Sequence, residues 1–263
     1  MSISTKDKPP LPEDRPATIK DLRSRELFKG VPLWVIKELM RLGGTSVSAL
    51  ESGQVLDLRK RGVEYMYVIV SGYLEVRLYS GLIKKGESFL LAFRGPEQVI
   101  GEMRAIAAGG PGTALIRAKE RCELIKIPSR ALARVAKMDW RIYRNIAELL
   151  IKKTYHERKR IEVVHMPGGQ AQVAQALLNF LTERGAERVD RDGMKIKGEI
   201  QQQDIADYVG RDRCTVSRPM NALKKRGYID YPDRGSNANK SVKILDESAL
   251  KEIAETVIKS KRR

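Results

Sequence analysis

The sequence has few of the residues that build metal and redox centres. Its 263 residues include only two cysteines, Cys122 and Cys214, and two histidines, His156 and His165. Two thiols cannot form a four-thiolate iron–sulfur or zinc site, and the histidines show no metal-binding spacing. A nucleophile–base pair and a Walker-type phosphate loop are also missing. These absences predict a protein that holds no metal and is not an enzyme.

Long apolar runs are missing as well. No stretch reaches the roughly 18 uninterrupted apolar residues that a membrane span requires. The N-terminal segment, residues 1–20, is polar and proline-rich and has no apolar signal core, so it predicts a flexible tail. Two widely separated cysteines fit a reducing compartment. Together these features predict a cytoplasmic protein.

Acidic residues are outnumbered by basic ones. The chain has 33 Asp and Glu against 50 Lys and Arg, which gives a net charge of +17. Such an excess favours an anionic partner, either nucleic acid or an anionic membrane surface. Charge alone does not separate these two partners, so the sequence motifs must.

Glycines and apolar periodicity divide the chain into a β-rich part and a helical part. Residues 20–43 predict short helices, and from 45 to about 128 short β-rich runs alternate with glycines, which is typical of a small antiparallel barrel or roll. A long helix follows, from about 139 to 164, before a Met-Pro-Gly-Gly break. We predict an α+β protein with four parts: a tail at 1–20, a β-roll sensor domain at 21–136, a dimerisation helix and hinge at 137–166, and a winged helix-turn-helix domain with a basic C-terminal tail at 167–263.

The predicted long helix carries an apolar stripe. Apolar residues recur along it at spacings of three or four, with polar residues in the middle. A stripe of this kind needs a partner surface, and a second copy of the same helix is the simplest one. The sequence therefore predicts a homodimer joined through Ile142, Ile146, Leu150, Ile161 and Val164.

A compact helix pair is predicted near the C-terminus. Residues 200–227 read IQQQDIADYVGRDRCTVSRPMNALKKRG. The first helix, about 201–209, turns three small or aliphatic residues inward, and Gly210 suits the turn that follows. Asp212 is placed to cap a second helix that runs to about 226. The inward residues of the pair are predicted to be Ile205, Ala206, Val209, Val216, Met220 and Leu223.

The outer face of this pair has the chemistry of a DNA reader. Arg213 and Arg218 stand near a helix N-terminus, and an arginine can bond guanine O6 and N7 together. Residues 228–231 and 242–245 predict the hairpin of a wing. The alternative is a winged helix that binds protein rather than double-stranded DNA. The predicted DNA contacts are Gln202, Gln203, Arg213, Cys214, Thr215, Ser217, Arg218, Lys224 and Lys225.

Pro219 is unusual inside the second helix. Proline removes the hydrogen bond to the carbonyl of Thr215, four residues earlier. We therefore expect either a bend in this helix or an irregular first turn.

Four sequence blocks occur in a recognisable order: SGYLEV, VIGEMRAIAAGGPGTALIRAKERCELIKIP, VAQALLNFL and IADYVGRDRCTVSRPMNALKKRGYI. From about residue 21 to 245 the chain therefore resembles the cyclic-AMP receptor protein and fumarate–nitrate regulator superfamily of transcription factors. The resemblance implies a cyclic-nucleotide-binding-like β-roll (jelly roll), a long dimerisation helix and a C-terminal winged helix-turn-helix. It also implies a homodimer whose two recognition helices enter successive major grooves of a palindromic site. RNA polymerase is the expected protein partner of such a regulator.

The recognition helix departs from the superfamily at one position. The superfamily pattern is Arg-Glu-x-x-x-Arg, and the matching positions here hold Arg213, Cys214 and Arg218. A carboxylate accepts a hydrogen bond from cytosine N4 and a thiol does so poorly. We therefore predict an altered half-site at that base pair. A competing interpretation makes Cys214 a redox switch, because nearby arginines and a helix N-terminus favour a thiolate.

The sensor pocket also departs from the superfamily. There, a Gly-Glu-[Leu/Met] turn holds the ribose of a cyclic nucleotide, and the Arg of a following Arg-[Ser/Thr]-Ala motif pairs with its phosphate. This chain keeps Gly101, Glu102 and Met103 but reads Gly112-Thr113-Ala114 at the second motif, so the arginine is missing. The loss of that cation should weaken the binding of a cyclic nucleotide by several kcal/mol, as an order of magnitude.

The effector is left open by these departures. Glu157 and Arg158 fall where the superfamily has its adenine-contacting Thr-Ser pair, and Arg104 and Arg117 could offer another cation. The alternatives are a different anionic nucleotide, an altered pocket with no small effector, and cyclic AMP itself, which both departures disfavour. Iron–sulfur and haem sensing are excluded by the few cysteines and by the lack of histidine in the roll. The effector-site candidates are Gly101, Glu102, Met103, Arg104, Thr113, Glu157 and Arg158.

Overall fold

The computed structural model describes residues 14–58, 65–78, 88–106, 114–188, 193–232 and 241–260. A 3₁₀ turn at Glu26–Phe28 accompanies the helices. The helices of these ranges are α1 (Ile19–Arg23), α2 (Leu33–Leu42), α3 (Glu102–Ile106), α4 (Ser129–Met138), α5 (Trp140–Val164), α6 (Gly169–Arg184), α7 (Gln202–Val209), α8 (Arg213–Lys225) and α9 (Glu247–Ser260). The strands are β1 (Arg15–Pro16), β2 (Ser46–Leu50), β3 (Val55–Asp57), β4 (Tyr65–Ser71), β5 (Leu74–Leu78), β6 (Phe89–Arg94), β7 (Val99–Ile100), β8 (Ala114–Ala118), β9 (Cys122–Pro128), β10 (Ala186–Arg188), β11 (Met194–Ile196), β12 (Ile229–Asp230) and β13 (Lys243–Ile244).

Two antiparallel sheets form the β-rich part of the chain. One sheet has the strand order β1-β2-β9-β4-β7 and the other β3-β8-β5-β6. Successive side chains of β4 alternate between two cores, as the period of a strand requires. Ile69 packs with residues of the opposite sheet, whereas Val68 packs with the helices. The predicted roll is confirmed.

Gly72 makes the corner between the two sheets. It lies between β4 and β5, which belong to different sheets, and its φ angle is +80°. Gly72 therefore makes a tight connection between two strands of different sheets.

The chain divides into two compact units, residues 1–153 and 154–263. The division falls inside α5, whereas the sequence prediction places domain limits near the two ends of this helix. In the second unit α6–α9 accompany a four-stranded sheet with the order β10-β11-β13-β12. The mixed α+β class, with a β-roll followed by helices and a winged helix-turn-helix, is confirmed.

A helix that was not predicted from the sequence follows the wing. Residues up to Ser260 form α9, which packs against α6 and buries Leu250 and Ala254. Asp246 accepts a hydrogen bond from the amide of Ala249 at 2.8 Å and so caps this helix. The segment Ala186–Arg188 forms β10, an edge strand of the sheet in the second unit.

Candidate nucleic-acid interface and sensor site

The helix pair has the geometry that the sequence predicts. The turn between α7 and α8 passes through Gly210, which adopts a left-handed conformation with φ +70° and ψ +34°. A residue with a Cβ atom would be strained there. The six predicted inward residues are all buried: Ile205, Ala206, Val209, Val216, Met220 and Leu223.

Asp212 caps α8. Its carboxylate accepts hydrogen bonds from the Thr215 amide at 2.8 Å and from the Thr215 hydroxyl at 2.6 Å. These donors hold the pKa of the Asp212 carboxyl below its ordinary value. The cap is therefore present at neutral pH and is lost only as the pH falls through that lowered pKa.

The predicted contact residues differ in how free their polar groups are. Arg213 and Arg218 are exposed and make no hydrogen bond or ion pair with the rest of the chain as the structure describes it. Cys214 and Lys225 are also exposed, and Ser217 and Gln202 are half-buried. Thr215 is tied to its cap, and Gln203 donates to Asp207 Oδ1 at 2.7 Å. Two unpaired guanidinium groups thus stand at the start of a capped helix.

Lys224 is engaged within the protein. Its Nζ donates to the carbonyl of Tyr231 at 2.6 Å and lies 3.2 Å from Asp230 Oδ1. The same ammonium lies 4.7 Å from the centre of the Tyr231 ring. It therefore joins α8 to the strand that follows, and a contact to a DNA phosphate would have to compete with these partners.

The wing is present as a strand pair. Ile229 pairs with Ile244 and Asp230 with Lys243 in antiparallel register. The connecting residues 233–240, predicted as the tip of the hairpin, lie outside the described residues.

Pro219 lies in the middle of α8, and the helix continues through it from Arg213 to Lys225. Its ring packs against the start of α6, where a Cβ atom on Gly169 would lie 3.1 Å from Pro219 Cγ. This distance is shorter than an ordinary van der Waals contact. The close approach explains why a small residue stands at 169 when a proline stands at 219.

We expect Gly169→Ala to weaken operator binding, because its methyl group pushes on Pro219. Pro219→Ala supplies the missing amide to Thr215 and should stabilise α8. In the double variant the methyl group has room. The free-energy change of the double variant should therefore differ from the sum of the two single-variant changes by about 0.5–3 kcal/mol. Thermal unfolding and operator affinity of the four proteins measure this coupling. Strict additivity would show that the two residues do not press on each other.

The C-terminal end of α5 is fastened to the helix pair. Arg160 donates from Nη2 to the carbonyl of Asp207 at 3.0 Å. Gln172 on α6 donates from Nε2 to the carbonyls of Val163 and Val164 at 3.2 and 3.1 Å. These bonds satisfy carbonyls that the end of a helix would leave unpaired. The last turns of α5 are thus part of the second compact unit.

The apolar stripe of α5 is not the predicted one. Ile142 and Ile146 are buried against the protomer's own roll and first helices, and Leu150 is packed against the same core. Val164 lies beside the turn at Gly210. The reason is that helical spacing repeats on more than one side of α5, so spacing alone does not identify the outer side. The exposed apolar residues of α5 are Trp140 at 62%, Tyr143 at 43%, Ile151 at 68%, Tyr155 at 54% and Ile161 at 56%.

The sensor turn is occupied by an ion pair that the sequence did not predict. Glu102 begins α3, is 4% exposed, and pairs with the ammonium of Lys153 on α5. Gly101 has φ +82°, and a Cβ atom there would lie 2.6 Å from the carbonyl oxygen of Tyr65. Met103, by contrast, is 60% exposed. The turn therefore brings its glutamate inward onto a lysine.

The remaining effector candidates, Arg104 aside, lie in other parts of the chain. Thr113 and the side chain of Arg104 lie outside the described residues. Glu157 is half-buried and Arg158 exposed, and both belong to the second compact unit. Lys153 lies 51 residues from Glu102 and belongs to no local motif. Only its inward position on α5 could have indicated that it is the partner of Glu102.

Metal-site and membrane-span geometry are not found in the described ranges. His, Cys, Asp and Glu side chains form no group of three or more there that could hold a metal ion. None of the helices in those ranges combines the length and apolar character needed to cross a membrane.

Comparison with known proteins assigns both halves of the chain. Residues 47–139 match the model of the cyclic nucleotide-binding domain, and residues 171–253 match that of the Crp-like helix-turn-helix domain. A roll of this type followed by such a helix pair defines a class of transcription regulators that bind DNA. Within that class, the chain belongs to the cyclic-AMP receptor protein and fumarate–nitrate regulator family.

Characterised relatives agree with this assignment. The cAMP-activated global transcriptional regulator CRP of Salmonella typhimurium is 25% identical over 166 residues, which cover 63% of this chain and 76% of the relative. The cyclic AMP receptor protein of Thermus thermophilus is 24% identical over 189 residues, covering 72% and 79%.

Solved structures share the fold. A CRP-family transcriptional regulator of Thermus thermophilus has a TM-score of 0.63 at 21% identity, covering 78% of this chain and 95% of that chain. The c-di-GMP-responsive global regulator CLP of Xanthomonas campestris has a TM-score of 0.64 at 15% identity, covering 81% and 99%.

Proposed function

We propose that the protein is a homodimeric transcription regulator that binds two-fold symmetric DNA operators through α8. Arg213 and Arg218 read base edges, and Lys225 with the capped start of the helix contacts phosphates. One observation carries this proposal: the two guanidinium groups at the N-terminal half of α8 are exposed and have no partner within the described chain. The role is binding rather than catalysis, in the cytoplasm, with RNA polymerase as the expected protein partner.

The exposed side of α5 supports the homodimer. Five large apolar or aromatic side chains lie within about 120° of one another around this helix, at the usual 100° per residue. Single apolar residues are normal on a protein surface, but five large ones along one side of a helix indicate an interaction site. A second copy of α5 would cover it in the manner of a coiled coil.

We propose that the effector, if one is used, is not cyclic AMP. Thr113 stands in the motif that has lost the arginine for the cyclic phosphate, and Lys153 already engages Glu102. Family membership does not fix the effector, since one relative is described as cAMP-activated and a structural neighbour as c-di-GMP-responsive.

The test is a selection of bound sequences from a random duplex pool, run with and without cyclic AMP, cyclic GMP and cyclic di-GMP. We expect a palindromic motif whose half-site differs from the family pattern at the position that Cys214 faces. A pool that shows no enrichment at low salt would refute DNA reading and favour the protein-binding alternative.

Arg213→Ala should cost about 1–3 kcal/mol of operator affinity and relax the preference at one guanine. Lys225→Ala removes the same charge and serves as the matched control. It should weaken binding to all sequences about equally and reduce the salt dependence by roughly one phosphate contact. Fluorescence anisotropy on the selected operator and on its single-base variants distinguishes the two. Equal losses for Arg213→Ala on every duplex would contradict base reading by this arginine.

A further inference from the structure

The sensor turn holds a buried charge that has its own counter-ion. The side chain of Glu102 is 6% exposed and that of Lys153 is 24% exposed, and the two are in direct contact. A buried carboxylate is costly unless a cation or hydrogen-bond donors compensate it. The ammonium of α5 provides that compensation from within the chain.

The position of this pair along the chain adds to its significance. Lys153 is the last residue of the first compact unit. Nearer the start of α5, Asn145 donates from Nδ2 to the carbonyls of Leu27 and Lys29, both at 2.9 Å. Ile146 and Leu149 pack between these two polar attachments. The Glu102–Lys153 pair therefore fastens α5 to the roll at the point where the helix leaves the first unit.

We propose that Lys153 is the resident cation of the sensor site. It occupies Glu102 in place of the hydroxyl groups of a diffusible nucleotide, and it holds α5 in the position that DNA binding requires. The side chain of Lys153 thus takes the place of a ligand at Glu102, and the regulator binds its operator without a small effector. Because operator binding is the readout, this inference rests on the proposed function.

The first prediction concerns nucleotides. Full-length protein should bind the selected operator with an affinity that changes by less than about twofold on adding cyclic AMP, cyclic GMP or cyclic di-GMP, below the range typical of allosteric effectors. An increase of tenfold or more with any of these would overturn the inference.

Variants of the pair provide the second readout. Lys153→Met keeps the apolar stem and leaves Glu102 buried without its cation, so operator affinity should fall by about tenfold or more. Lys153→Arg should restore it, and the double variant Lys153→Met with Glu102→Gln should recover most of it. Lys152→Met, an exposed neighbour on the same helix, is the control and should bind as the unmodified protein does.

Hydrogen exchange keeps the test independent of DNA. Amides in residues 149–156 and 101–106 should exchange faster in Lys153→Met than in Lys152→Met, while sedimentation still shows a folded dimer. Unchanged exchange together with unchanged operator affinity would refute the proposal. If Lys153→Met does not fold, Glu102→Gln alone tests the proposal. Its operator affinity must not change when a nucleotide is added, and amides of the same two segments must exchange faster. If exchange responds as expected but no variant binds any duplex, the proposed DNA function fails and the ion-pair attachment stands.

Discussion

Ile151→Glu is expected to convert the protein into a folded monomer with greatly weakened operator binding. Ile151 is 68% exposed in the protomer, so its loss removes little packing there, and glutamate is at least as good a helix former. In the proposed dimer the new carboxylate would be buried between two helices without a cation, at a cost of several kcal/mol. Because two linked reading heads gain about 10²–10⁴ in affinity over one, we expect a loss of operator affinity of at least that lower value.

Sedimentation equilibrium gives the oligomeric state, and anisotropy gives the affinity for a full palindrome and for a half-site. Lys152→Ala changes the net charge by the same amount on an exposed neighbour and should leave both measurements unaltered. Ile146→Glu is the opposite control: Ile146 is 3% exposed in the protomer core, so this variant should unfold rather than dissociate. If Ile151→Glu remains a dimer with normal affinity, the second copy does not bind along this row.

The contrast between α5 and α8 shows what apolar periodicity can predict. In α8, the inward residues, the cap at Asp212 and the left-handed Gly210 could all be predicted, because a short amphipathic helix has one apolar side and its ends carry local signals. In α5, apolar residues occupy two sides, one covered by the roll and one exposed. Sequence spacing gave a stripe that mixes the two sides, and only packing separates them.

Only the local part of the candidate sensor site has a sequence signal. The Gly101-Glu102-Met103 turn has a motif of its own and leads into α3. Lys153 joins it through a contact across 51 positions, which no local pattern encodes. The helix α9 was not predicted, although Asp246 and the apolar positions of Leu250 and Ala254 are local helix signals.

Gly72→Ala is expected to destabilise the roll strongly, because its backbone lies at φ +80° and its surroundings leave no space. A Cβ atom at this corner would lie 2.6 Å from the carbonyl oxygen of Arg121 and 2.6 Å from Cys122 Sγ. The left-handed backbone alone costs an alanine about 1–2 kcal/mol. The overlap adds about 1–3 kcal/mol, as overpacking of a dense core does, so the total loss should be about 2–5 kcal/mol.

Gly53 offers a matched control. Its φ angle is +81°, nearly the same as that of Gly72, but nothing lies within 4 Å of its added Cβ atom. Gly53→Ala should therefore show the backbone cost alone. Both tryptophans, Trp34 and Trp140, lie in the first compact unit, so their fluorescence during urea unfolding reports on the unit that contains the roll.

Cys122 allows the overlap to be divided further. Its thiol is buried, which raises its pKa to about 12, and it lies in the core between the two sheets. Adding Cys122→Ala to Gly72→Ala removes the sulfur contact but leaves the carbonyl of Arg121 in place. In the Cys122→Ala background, Gly72→Ala should therefore cost less stability than it does in the unmodified protein, but it should still be destabilising. Equal destabilisation by Gly53→Ala and Gly72→Ala would show that the corner yields without cost and that φ alone governs the choice of glycine there.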